Sequence, residues 1–368
     1  MVDSKISYLK VLAYAGTFIA FLIGSGFATG QEVVQYFSGY GLAGLLGILV
    51  VLVLFVYIGK ALVSIGHAQK FEHGGQIYHY LCGPILGRFF DYFSIVFIYM
   101  SFMVMIGGAG ATIGQQYQVS PWMGAVVMAV LVAVTVICGL TSIVGVLGKV
   151  GPIIVLLTIV LGLAAVAKNP AGLMNLDEVL PQLTILTASS HWFFAALSYV
   201  GFCMLWLAGF MSLMGSSARN LKEIAVGTVL GAVGFSLALF IIALGLMANI
   251  QLVAGTMVPS LQLAASIHPI LASFFFVIVL AGIYTTAVPL LWQAAKRFTG
   301  ENQGAFRWVT MILSVLGTWV ALKVPFDQLI NVIYVMNGYI GFVLLFFIVL
   351  HSVRSRAAKR AKIISVID

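Results

Sequence analysis

Two stretches of this chain carry polar groups for which an apolar helix has no ordinary use. The first reads Gly24-Ser25-Gly26, followed by Gly30-Gln31-Glu32. The second reads Gly282-Ile283-Tyr284-Thr285-Thr286-Ala287-Val288-Pro289. Glycines flanking a serine unwind a helix readily, and in lipid the freed peptide groups are tolerated only where they line a cavity. A half-helix beginning after Gly26 would turn its N–H groups and positive dipole end toward a carboxylate or other small anion, with the Ser25 hydroxyl beside them. The paired threonines leave two readings open. Their hydroxyls either bond carbonyls one turn back or join freed carbonyls as hard oxygen ligands for sodium. Pro289 favours the second, because it frees the carbonyl of Thr285. Glu32, an acid at membrane depth, must face a cavity or a partner. It is expected to act in coupling or gating, as proton acceptor, gate element or cation ligand. A static lock with Gln31, Gln35 or Gln115 is the alternative.

The elements that carry these residues follow from composition. Of 368 residues, 62% are apolar and 8% charged, whereas a soluble domain has about a quarter charged residues. The chain is therefore an all-α polytopic membrane protein. A hydropathy pass predicts ten spans, near 8–37, 41–65, 88–115, 121–140, 143–167, 188–216, 221–248, 268–295, 306–323 and 328–351. With the N-terminus in the cytoplasm, all of the 18 Lys and Arg except Lys168 and Lys323 fall on the inner side. That asymmetry predicts an even number of spans and both termini cytoplasmic, in the cell's inner membrane. The net charge of +8 reflects short basic loops and a basic tail at 352–368, so nucleic acid is not an expected partner. The partners expected are the lipid bilayer and a small solute. Cys82, Cys138 and Cys203 form no disulfide framework. His67, His73 and His79 match no zinc spacing, and an interfacial helix is expected there.

Span one is too long. From Tyr8 to Phe37 it would run roughly 45 Å as straight helix, against a hydrocarbon core of about 30 Å. Span six repeats the anomaly, with Leu197-Ser198-Tyr199-Val200-Gly201-Phe202 in its middle. Two interrupted spans five apart predict a 5+5 inverted repeat, about 8–167 and 188–351, forming a single transporter domain. Helices one and six are then expected to be unwound at mid-membrane, with carbonyls at Gly201 and the hydroxyls of Ser198 and Tyr199 left for a substrate. Phe202 would contribute an apolar wall, and Tyr99, by depth in span three, would close over a bound carboxylate.

This layout resembles the LeuT fold of the amino acid/polyamine/cation superfamily. More narrowly, the run Ile23-Gly24-Ser25-Gly26-Phe27-Ala28-Thr29-Gly30-Gln31-Glu32 resembles the signature of the YkvI-type membrane proteins, a group regarded as amino acid permeases. That group tends to carry an asparagine in span six where this chain reads Gly201-Phe202-Cys203. The resemblance to sodium-coupled members of the fold implies an ion between spans one and eight. Its oxygens would come from Ala20 and Ile23, then from Gly282, Thr285 and Thr286. In proton-coupled or exchanging members a lysine in span five takes the ion's place, and Lys149 is the matching candidate; a lysine snorkelling to the interface is the other reading.

The functional expectation is a secondary active transporter of an amino acid or similar zwitterion, coupled to sodium by alternating access. Proton coupling or exchange through Lys149 or Glu32 is a second possibility, and a non-transporting ligand sensor of the same fold a third. Nothing resembles a nucleophile with its base or a phosphate loop, so no enzyme and no organic cofactor are expected.

Overall fold

The computed structural model describes residues 6–139, 144–300 and 302–367, with side chains described except at 144–150 and 355–367. Lys149 and most of the basic tail therefore lie outside the described side chains. Among the described residues, nine helices are long and apolar enough to cross a membrane. The tenth crossing is span one, which fails that measure because it is divided into Tyr8–Leu22, Ser25–Thr29 and Gln31–Tyr36.

The remaining spans are Leu42–Gln69, Gln76–Tyr117, Pro121–Cys138, Val144–Lys168, Trp192–Ser217, Leu221–Ala248, Pro269–Thr299, Gln303–Lys323 and Phe326–Ile367, numbered two to ten. Span three begins as the expected short interfacial helix. It is set off by Gly83, whose positive φ of 77° favours glycine, just before Pro84. Span four shows why the bundle needs lipid: Val126, Val127, Val130, Leu131 and Val134 are all exposed on its outer face.

Packing follows the repeat. Span one lies against span seven and span six against span two, the exchange expected when two five-helix units interlock. Likewise span three packs on span ten and span eight on span five, while spans three and eight meet each other. Close approach depends on small residues. A Cβ on Gly227 would lie 2.6 Å from the Tyr14 side chain, and one on Gly231 2.8 Å from that of Phe18.

Span six departs from expectation. Trp192–Ser217 is a continuous helix of 26 residues, with no unwinding at Gly201. The glycine serves a different purpose. A Cβ there would stand 2.1 Å from the Gly338 carbonyl oxygen of span ten, and a Cβ on Gly341 would stand 1.9 Å from the Gly201 carbonyl oxygen. Spans six and ten thus touch backbone to backbone, and the small residue permits contact instead of a break.

Candidate functional site

The candidate site is built on the break in span one. Ile23 ends the first helix in an extended conformation, φ −84° and ψ 105°, and Gly24 caps the next at φ −114°, ψ −173°. A second interruption follows at Gly30, left-handed at φ 80°, with Ser260 Oγ only 2.4 Å from where a Cβ would sit. Both the dihedral and the space restrict that position to glycine. The segment between the interruptions, Ser25–Thr29, has five residues. The expected half-helix beyond Gly26, whose dipole would hold a carboxylate, is thereby replaced by little more than one turn.

Span three covers the break. The Ser25 amide faces Met105 Sδ at 3.3 Å, a thioether being a weak acceptor, and Ser25 Oγ reaches the Val104 carbonyl at 3.4 Å. Gly24 lies under the Met105 methyl and the Trp206 ring, and Gly108 makes room for Ser25. Each break residue from Gly24 to Gly30 is buried.

On one side of the break lies an acid with aromatic walls. Glu32, 3% exposed, turns back toward Gly26, with Oε2 standing 2.3 Å from where a Gly26 Cβ would be. Its Oε1 accepts a 3.0 Å hydrogen bond from Tyr199 OH of span six. None of the expected glutamine partners is used. Gln35 donates to the Asp327 carbonyl and accepts from Asn331, and Gln115 makes paired bonds with the backbone of Val258. Tyr36 packs edge-on to Tyr199 at 5.4 Å, and Phe202 stacks on Tyr334 of span ten at 4.6 Å. The hydroxyls of Tyr36 and Tyr334 and the Trp206 indole N–H are buried without a hydrogen-bond partner. We expect Tyr199→Phe to retain the ring stack while depriving the carboxylate of its donor. It should lower stability by about 1–3 kcal/mol in thermal unfolding of the purified protein.

On the other side lies an oxygen cluster. Thr286 Oγ1 of span eight donates to the Ile23 carbonyl at 3.1 Å and lies 3.0 Å from the Gly282 carbonyl, which Thr285 Oγ1 also reaches at 3.0 Å. Four of the five residues expected to hold sodium are therefore linked by hydrogen bonds, of which one, Thr286 to Ile23, joins span eight to the break. The fifth, Ala20, packs against Gly151 of span five, where a Cβ would lie 2.7 Å from its own.

Three expectations for the substrate end do not hold. Gly201 faces span ten through an intact helix, so its carbonyl is not left free. Ser198 lies on the same interface, its hydroxyl 3.5 Å from the Val335 carbonyl. Tyr99 donates to the Leu313 carbonyl at 2.8 Å and stacks on Phe102, which ties it to span nine and away from the break. Depth alone gives a residue's height in the bilayer but not which neighbour it meets. Tyr36, Met105 and Tyr334, which also stand at the break or beside Glu32, carry little signal in the sequence. For Tyr334 that signal is Asn337-Gly338, which interrupts an otherwise apolar span ten, three residues on.

No protein-family model matches the sequence. The chain is 22% identical over 335 residues to the membrane protein YkvI of Bacillus subtilis (strain 168), covering 89% of this chain and 91% of YkvI. It is 23% identical over 336 residues to YyaD of the same organism, covering 91% and 95%. It superposes on MhsT in complex with L-phenylalanine with a TM-score of 0.62 at 18% identity, over 94% of this chain and 88% of that one. The chain has the LeuT fold. A mutant of the Eremococcus coleocola manganese transporter gives 0.60 at 15% identity, over 94% and 79%. Within its LeuT fold this chain sets the Glu32 carboxylate and the oxygen cluster of span eight about one break in span one.

Proposed function

We propose that the protein is a secondary active transporter, moving an amino acid or similar small zwitterion together with sodium by alternating access. The observation that carries this reading is the hydrogen bond from Thr286 to the Ile23 carbonyl, which joins the oxygen set of span eight to the broken end of span one. Neutral hydroxyls and carbonyls suit a monovalent hard cation, and no histidine, cysteine or acid cluster suited to a transition metal occurs among the described residues. The LeuT fold supports transport, and MhsT, with bound L-phenylalanine, supports an amino acid as cargo. The positive-inside pattern supports cytoplasmic termini.

The test is uptake by purified protein in sealed vesicles given an inward sodium gradient and a labelled amino acid mixture. Accumulation that collapses when potassium replaces sodium is expected. Binding without accumulation would identify a sensor, and accumulation driven by a pH gradient alone would identify proton coupling.

A further inference from the structure

Glu32 has no counter-charge among the described residues. Among the described residues, the buried charged side chains are Glu32 and Glu223. Glu223 receives the Ser7 amide at 2.9 Å and has Lys10 Nζ 3.9 Å away. Glu32 receives one neutral donor, Tyr199, on Oε1, and Oε2 has no donor among the described residues. A carboxylate removed from water and held by a single hydroxyl is costly, and a cation arriving at the free oxygen offsets that cost. The walls suit a cation as well. The rings of Tyr36, Tyr199, Phe202 and Tyr334 form a chain of contacts with centroids 4.6–5.7 Å apart, and ring faces attract an ammonium. The free oxygen also lies at the break itself, against Gly26.

We propose that Glu32 receives the positively charged amino group of the solute, with Oε2 accepting from the ammonium while Tyr199 holds Oε1. This deepens the transport reading above and rests on it. The solute class follows: a small amine or amino acid, and not a carboxylic acid that lacks an amino group. The unpaired hydroxyls of Tyr36 and Tyr334 and the Trp206 N–H then remain as donors for an acceptor elsewhere on the solute.

The experiment compares wild-type protein, Glu32→Gln and Glu32→Asp in nanodiscs by thermal melting with matched probes. Each set holds an amino acid, the amine lacking its carboxylate and the acid lacking its amino group. The sets are L-alanine, ethylamine and propionate; L-leucine, 3-methylbutylamine and 4-methylpentanoate; and L-phenylalanine, 2-phenylethylamine and 3-phenylpropionate. In at least one set the amino acid and amine are expected to raise the wild-type melting temperature while the acid does not. Glu32→Gln is expected to weaken that binding at least about tenfold, with Glu32→Asp intermediate. A shift produced by an acid, unchanged affinity in Glu32→Gln, or no shift with any amine or amino acid would overturn the assignment. Should Glu32→Gln fail to fold, the wild-type comparison within each set decides alone. Sodium-driven accumulation is scored separately: amine binding without accumulation removes transport and leaves the assignment of charge intact, whereas accumulation of a deaminated acid does the reverse.

Discussion

Thr286→Val is expected to abolish sodium-driven accumulation while leaving the bundle assembled. Valine fills nearly the same volume, so span eight keeps its packing, but the hydroxyl that bonds both the Ile23 and Gly282 carbonyls is lost. Losing one oxygen ligand, comparable in size to the about 1.5–3 kcal/mol of a hydrogen bond to a charged group, should lower sodium affinity roughly ten- to a hundredfold. Sodium titration of uptake, with melting of the same preparation as a control, measures both. Thr285→Val should have the smaller effect, since its hydroxyl bonds only the Gly282 carbonyl in its own helix and makes no bond across the break. Equal sodium affinity in the Thr286→Val and wild-type proteins would remove the oxygen cluster from the coupling mechanism.

Gly341→Ala is expected to be among the most damaging single methyls at the described residues. The added carbon would fall 1.9 Å from the Gly201 carbonyl oxygen, so spans six and ten must separate along the line that positions Tyr199 and Tyr334. Backbone offers no rotamer through which to yield, and overpacking of this kind costs about 3 kcal/mol or more. Little monodisperse protein is expected on size-exclusion chromatography. Gly16→Ala is the matched control. Nothing lies within 4 Å of a Cβ there, and its place inside Tyr8–Leu22 predicts a gain of up to about 1 kcal/mol from helix propensity. If the two variants melt alike, the close contact between spans six and ten is not what the glycines are for.

The contrast between Gly24 and Gly201 explains how far the sequence could be read. Span one was legible because excess length, two glycine clusters and an acid coincide, and only a break reconciles them with a bilayer. Gly201 offered one glycine and two hydroxyls, which a break and a tight helix contact use equally well. Its partners, Gly338 and Gly341, lie more than 130 positions later, and no local pattern links them. The oxygen cluster was legible for a related reason, because Gly282, Thr285 and Thr286 share one helix face at fixed spacing and need only one long-range partner. The bond between Glu32 and Tyr199 spans 167 positions and depends on the acid folding back toward the break, which spacing does not report. Tyr36 is not legible in sequence because a tyrosine at the end of a span usually marks an interface, whereas here it is fully buried.

Alternating access requires the residues of the span-one break to line a chamber that opens to each side of the membrane in turn. Ser25, buried beneath span three, reports on this most directly. With Cys82, Cys138 and Cys203 replaced, Ser25→Cys in sealed vesicles of known orientation can be titrated with a membrane-impermeant thiol reagent applied from one side at a time. Labelling from both sides is expected, with sodium shifting the balance between them. A thiol that stays unreactive from both sides, with and without sodium, would mean that the break lies in a permanently packed core, and the account would fail.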